Sequence, residues 1–273
     1  MKSKPISKGF SVEIPRYFAT LYQAWGPQHW WPAASQFEMI VGAILTQNAA
    51  WTNVEKALTN LRQAGVLTLE GIRRLPAPDL ELMLRPAGYF RQKAARLKHL
   101  IEWLDGKHGG SLERMFALET DELRRQLLDL NGIGPETADS ILLYGGQHEV
   151  FVVDAYTRRI FERHRLVRPS AKYDDIRLAV EQALQACTGA SGSTRTRPGT
   201  DPRVFTPVVH KPSAMSDAPR SDVAEAFNQF HALLVQVAKH FCLSREAHCE
   251  RCPLRPYLTA GKPLLRIRTH RAL

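Results

Sequence analysis

Asp154 closes the apolar run FVVD and opens the segment AYTRRIF, which carries Arg158 and Arg159. A carboxylate in that place can cap the helix that begins behind it. Upstream, Gly132-Ile133-Gly134 separates two apolar segments, LRRQLLDL and PETADSILLY. Two glycines permit a tight turn whose backbone N–H groups point outward, with Pro135 in the first turn of the next helix. Such a turn grips a phosphate without reading a base. An ordinary helix–helix connection uses the same residue types, so the glycines alone leave both readings open. The third group is Cys242, Cys249 and Cys252, spaced C-x6-C-x2-C, with Cys187 the one remaining cysteine. In a cytosolic chain that clustering points to a metal site rather than a disulfide framework.

The elements that must hold these groups are helices. FEMIVGAILTQ, NVEKALTNLRQAG, AARLKHLIEWLDGKHGG and DELRRQLLDLNGIG each place apolar residues at i, i+3, i+4 and i+7, and several end in Gly. The best strand signal, HEVFVVDAY, is an apolar run that periodicity does not assign. The predicted class is therefore mostly α, with no internal repeat of fixed period. Residues 188–220 hold 5 of the 17 prolines among Ser, Thr and Gly, with five basic and two acidic residues. That composition buries too little apolar surface to offset chain ordering and predicts a flexible basic loop. A helix resumes at AEAFNQFHALLVQVAKHFC, where Phe227, Phe230, Leu233, Leu234 and Val237 share a face.

A length of 273 residues allows one large domain or two modest ones, and 44% hydrophobic residues exclude wholesale disorder. Lys and Arg outnumber Asp and Glu by 37 to 27, and a net charge of +10 points to a polyanionic partner without choosing among DNA, RNA and ribosome. The sequence has neither a long apolar run nor an apolar N-terminal stretch, which argues against a membrane span and a secretory signal. The expected location is the cytoplasm, in association with the nucleoid.

In combination, LNGIGPETADSILLYGGQHEVFVVDAYTRRIF (residues 130–161) resembles the helix-hairpin-helix, Gly/Pro-rich and aspartate motif of the endonuclease III superfamily of DNA glycosylases. The resemblance runs from about Phe37 to Cys252, interrupted by the 188–220 stretch. It implies an all-α fold in which two helical domains flank a DNA-binding cleft. Residues 37–160 would form a six-helix barrel-like domain, with the hairpin at about 124–144. Residues 1–36, the return helices 161–187 and the C-terminal segment 221–273 would form the other.

By this resemblance Asp154 is the catalytic carboxylate. Breaking an N-glycosidic bond develops positive charge on the deoxyribose, and a fixed carboxylate stabilises that charge or orients the attacking water. The target base must first leave the duplex stack. Members with an added lyase activity carry a lysine two residues after the second glycine, where this chain has Glu136. A carboxylate cannot form the Schiff base that an amine forms, and Lys93 and Lys98 lie elsewhere. This implies a monofunctional glycosylase. A bifunctional endonuclease III acting on oxidised pyrimidines and a non-catalytic DNA-binding protein are the alternatives.

HWWPAASQFEMIVGAILTQNAAWTNVEKAL is similar to the N-terminal part of the 3-methyladenine DNA glycosylase branch. That likeness implies a stacking pocket of Trp30, Trp31 and Pro32 for an electron-poor alkylated purine. It also makes Gln47 and Asn48 the polar residues that fill the gap left by a flipped base. Packing of both tryptophans in the core is the competing reading. RPAGYFRQKAARLKHL resembles the family's wedge loop, which makes Tyr89 the intercalating side chain and places Arg91 and Lys93 near phosphates. A buried aromatic at a helix terminus is the plainer reading of Tyr89.

Members with a [4Fe–4S] cluster use C-x6-C-x2-C-x5-C. Cys242, Cys249 and Cys252 match the first three positions, and Leu258 stands at the fourth. Three outcomes stay open: a remnant thiol loop without a cluster, a cluster with Cys187 as remote fourth ligand, and zinc with His248 or His240. None is needed for the chemistry. The implied partner is double-stranded DNA containing a damaged base, engaged by a monomer without a membrane partner.

Overall fold

The computed structural model describes residues 5–188, 207, 209–258 and 263. Among them the chain is all-helical, as the sequence predicts. In chain order the helices are α1 (Phe10–Trp25), α2 (Gln36–Leu45), α3 (Trp51–Gln63), α4 (Leu69–Arg74), α5 (Ala77–Leu84) and α6 (Phe90–His108), then α7 (Leu112–Phe116), α8 (Thr120–Leu128), α9 (Pro135–Ser140), α10 (Ala155–Arg163), α11 (Tyr173–Thr188) and α12 (Asp222–His240). No described helix is long and apolar enough to cross a membrane.

In HEVFVVDAY, which periodicity does not assign, residues 150–154 form neither helix nor strand and Ala155 and Tyr156 begin α10; the one bridge among the described residues pairs Ile6 with Val167. Its amides find side chains instead. Phe151 donates to Glu181 Oε1 at 2.8 Å and Val153 to the Tyr173 hydroxyl at 3.2 Å, which satisfies backbone groups that would otherwise be buried unpaired.

The described residues fall into two compact units. One combines the segment up to Trp30 with Val150–His210 and the chain from Ser221 onward. In it α1, α11 and α12 pack together and α10 lies on α12. Phe10, Phe151, Phe161, Phe227 and Phe230 are all buried there, with Phe151 and Phe230 centroids 5.8 Å apart. Burial of each such side chain contributes roughly 1.5–3 kcal/mol.

The other unit holds Trp31–Glu149 and Lys211–Arg220. Its central helix is α2, QFEMIVGAIL, buried from Phe37 to Leu45 and apolar there except for Glu38, which pairs with Arg62 at 2.8 Å. Ser35 caps it by accepting from the Glu38 amide at 3.1 Å.

The units break the chain elsewhere than the expected boundaries, first between Trp30 and Trp31 rather than at residue 36. The next division falls between Glu149 and Val150 rather than at residue 160, because α10 packs on α12. Asp154 therefore belongs to the unit built from the chain ends. Of the 188–220 stretch, 189–206 and 208 lie outside the described residues. Residues 211–220 are not a free loop: the Met215 amide donates to the Ala33 carbonyl at 3.1 Å, Ser213 Oγ donates to the Trp31 carbonyl at 3.1 Å, and Met215 is buried.

Candidate active site

Asp154 is the N-cap of α10, and its Oδ1 accepts from the Thr157 amide at 2.7 Å. That bond fixes the carboxylate's orientation and leaves Oδ2 on the other side, 3.6 Å from His231 Nε2. At 3.6 Å this contact is longer than a direct hydrogen bond, and it is an ion pair only when the imidazole is protonated. The Asp154 side chain is 13% exposed. Burial favours its neutral form, but His231 and the Thr157 donors outweigh burial, so the carboxyl sits below its usual value. The product is an oriented, ionised carboxylate at a nearly dry position.

Lys239, exposed on α12, is pulled in opposite directions: burial of its stem lowers its pKa and the charge of Asp154 raises it, with burial prevailing. Tyr156, Arg159, Lys239 and Arg245, with the single carboxylate Glu246, line an adjacent surface cavity of about 440 Å³. Arg159 lies over the Tyr156 ring, 5.1 Å from its centroid, so the wall is cationic and aromatic together.

The hairpin is built by α8, a turn and α9. Gly132 has φ +85, and a Cβ there would collide with the Arg96 side chain, so the turn requires glycine for two reasons. Gly134 faces open space. Ile133 differs from its neighbours: its side chain is buried and its amide donates to the Leu130 carbonyl at 3.0 Å, so it anchors the turn rather than presenting a donor outward. Asp139, fully buried on α9, receives Arg124 from α8 through two bonds of 2.7 and 3.2 Å. Glu136 is exposed in the first turn of α9.

Gln47 also serves the hairpin. Its Nε2 donates to the Gly132 carbonyl and to Thr137 Oγ1, both at 2.9 Å, and its Oε1 accepts from Arg96. An amide used on both sides in this way is not free to fill a gap in DNA. Its neighbour Asn48 is exposed with φ +52, which leaves Asn48 as the residue presented outward.

Tyr89 is exposed at 66% and left-handed, φ 44 and ψ 34, which overturns the buried-aromatic alternative. Arg91 is exposed beside it. Lys93 is not near phosphates: it is 1% exposed and donates to the carbonyls of Leu45 and Ala87 at 2.9 and 2.8 Å. Burial, with Arg96 nearby, pushes its pKa down to about 8.

The two tryptophans separate. Trp31 is a core residue, set edge-on to Trp51 at 5.4 Å and tilted against Tyr144 at 5.4 Å. With the residue 5% exposed, packing against these neighbours is the role this structure shows for it. Trp30 is half-buried and tilted over His210 at 5.3 Å, and Pro32 is half-buried.

In the cysteine loop the buried Arg163 guanidinium donates to Cys242 Sγ at 3.2 Å and to the carbonyls of Leu243 and Ser244 at 2.6 and 3.0 Å. Burial pushes the Cys252 thiol up to about 12 and raises that of Cys249, and the neighbouring thiols add to both. The fourth cluster position is the buried side chain of Leu258. Among the described residues no three His, Cys, Asp or Glu side chains come together to hold a metal ion, His240 and His248 included. The Cys187 side chain lies outside the described residues. Cys242, Cys249, Cys252 and Leu258 by themselves do not make a four-thiolate set, and no step of the chemistry runs through a cluster.

A glycine-turned helical hairpin and a helix-capping, ionised aspartate define a class, the helix-hairpin-helix repair proteins. Residues 41–186 match the HhH-GPD superfamily base excision DNA repair protein family. A candidate DNA repair glycosylase of Methanocaldococcus jannaschii is 35% identical over 89% of this chain and 94% of its own. The chain belongs to the HhH-GPD superfamily and is a base excision DNA glycosylase. An H. pylori 3-methyladenine DNA glycosylase solved with 1,N6-ethenoadenine aligns with a TM-score of 0.65 at 27% identity, over 84% of this chain and 97% of its own. An endonuclease III–DNA covalent intermediate shares the fold with a TM-score of 0.64 at 19% identity, over 92% and 96%.

His231, Arg96 and the Arg124–Asp139 pair had no local signature. His231 sits in an apolar helical face, and each of the others is defined only by a partner elsewhere along the chain.

Proposed function

We propose that the chain is a monofunctional DNA N-glycosylase that releases alkylated purines from duplex DNA, with Asp154 as the catalytic carboxylate. The observation that carries this is the Asp154 corner: one oxygen held by the Thr157 amide, the other facing His231, and the carboxyl kept ionised. As the C1′–N bond breaks, its electron pair leaves with the base, and Asp154 opposes the positive charge that grows on the sugar. Water oxygen then bonds to C1′, and its proton passes to solvent. A purine alkylated on its ring carries positive charge and departs neutral, so this route needs no protonating acid.

Three further features support the reading. The H. pylori relative is named for 3-methyladenine. Glu136 occupies the position where a lyase would carry its amine, and it offers no nucleophilic nitrogen. Asn48 and Tyr89, exposed and left-handed on ordered loops, suit entry into the space of an extruded base. The cationic wall beside Asp154 suits a phosphate backbone.

The test is incubation with duplexes containing 3-methyladenine or an oxidised pyrimidine, followed by strand analysis with and without alkali. Release of the methylated base, with breaks only after alkali, is expected. Breaks without alkali that vanish in Lys239→Gln would contradict the monofunctional reading, and Lys239 is the amine whose charge couples to Asp154.

A further inference from the structure

Lys93 is the least exposed Lys or Arg among the described residues, with its ammonium turned to the ends of two chain segments. Its two bonds end on different loops. Leu45 is the last residue of α2, and its carbonyl lies at the negative end of the helix dipole, just before Gln47 and Asn48. Ala87 ends the 3-10 turn Arg85–Ala87, just before Gly88 and Tyr89. The Lys93 amide also donates to the Tyr89 carbonyl at 3.1 Å. Each loop then presents one non-glycine residue with positive φ, Asn48 at 52 and Tyr89 at 44. Backbone of that kind, above all under a bulky aromatic, persists only where its surroundings over-determine it.

We infer that Lys93 is a positioning residue for damage recognition: its ammonium is the shared anchor that sets Asn48 and Tyr89 as a matched pair, so that the two side chains enter DNA together. The inference rests on the glycosylase reading in which these two residues enter the duplex. Replacing the ammonium by an apolar side chain of similar length removes both anchors at once. The loops then move independently, while the hairpin keeps its own contacts through Gln47, Arg96 and Asp139.

The probe is a duplex with an abasic-site analogue facing 2-aminopurine, whose fluorescence rises when that base is unstacked. It reports entry into the duplex without requiring base release. The full chain is compared with Lys93→Met, with Asn48→Ala and Tyr89→Ala made singly and together in both backgrounds. The expected result is a strong rise for the wild type and an at least fivefold smaller one for Lys93→Met. Affinity for undamaged duplex should stay within twofold. The effects of Asn48→Ala and Tyr89→Ala should be strongly non-additive in the wild type and additive in Lys93→Met. A merely structural lysine would lower every DNA contact alike and leave that coupling intact.

Wild-type fluorescence and unchanged coupling in Lys93→Met would overturn the role of Lys93 alone. Absence of a rise in the wild type would overturn the entry of both loops, and the inference with it. If Lys93→Met does not fold, Lys93→Gln takes its place. Gln keeps a donor but reaches only one carbonyl, and an intermediate loss of coupling is expected.

Discussion

Asp139 and Asp154 are both carboxylates on helices, both largely out of water, and they lie in different units of the chain. Asp139 is sealed, with both oxygens taken by Arg124 and no exposure. Asp154 has one oxygen held by a backbone amide and the other facing an imidazole across 3.6 Å, with the side chain 13% open. A carboxylate whose bonds are all made can only hold a fold together. One that is oriented by half of its bonding capacity has the rest left for a reacting centre. Completeness of pairing, rather than burial, separates the structural acid from the chemical one.

This contrast can be broken in order of expected effect. Asp139→Ala should be the most damaging to stability, since it strands a buried guanidinium; a loss of about 3–5 kcal/mol by denaturant unfolding is expected. A loss below about 1 kcal/mol would remove the distinction from the Asp139 side.

The unit that holds Asp154 should also be acid-labile through His164. This buried imidazole bonds the Tyr17 hydroxyl at 2.7 Å, and burial lowers its pKa to about 4. Above about pH 6.5 it is neutral in both the folded and unfolded chain and carries no penalty. As pH falls from there towards 4 the unfolded chain takes up the proton first, and stability declines by up to about 3 kcal/mol. Thermal melts across that window should show the decline, and His164→Asn should flatten it.

Gln47→Ala should cost about 1–2 kcal/mol and weaken binding to undamaged duplex, because it frees the Gly132 carbonyl and loosens the hairpin turn. Melting and filter binding check it. The smallest effect is expected from His231→Gln. It removes the group that lowers the Asp154 pKa, so the acid limb of the pH–rate profile should move to higher pH while the rate at neutral pH changes little. An unmoved limb would mean that the limb does not report Asp154.

Much of this was legible in the sequence because it depends on neighbours along the chain. Asp154 before AYTRRIF reads as a helix cap, and it is one. Gly132 and Gly134 read as a turn, and Gly132 has the positive φ that glycine supplies. What was not legible depends on partners far along the chain. Trp30 and Trp31 are adjacent, and no local pattern says that only Trp31 turns into the core against Trp51 and Tyr144. Lys93 carries a charge that the resemblance places near phosphates, yet the carbonyls of Leu45 and Ala87 draw it inward. Gln47 and Asn48 look interchangeable as polar loop residues until the hairpin claims one of them.

The central claim is that the half-paired carboxylate is the one that does chemistry. The most direct measurement is single-turnover release of 3-methyladenine by the wild type and by Asp154→Asn, with unfolding free energies measured on the same samples. Asn keeps a side-chain oxygen that can accept from the Thr157 amide, so stability should fall by no more than about 1 kcal/mol. The rate of release should fall by about a hundredfold or more. Release at the wild-type rate by a folded Asp154→Asn protein would contradict the account.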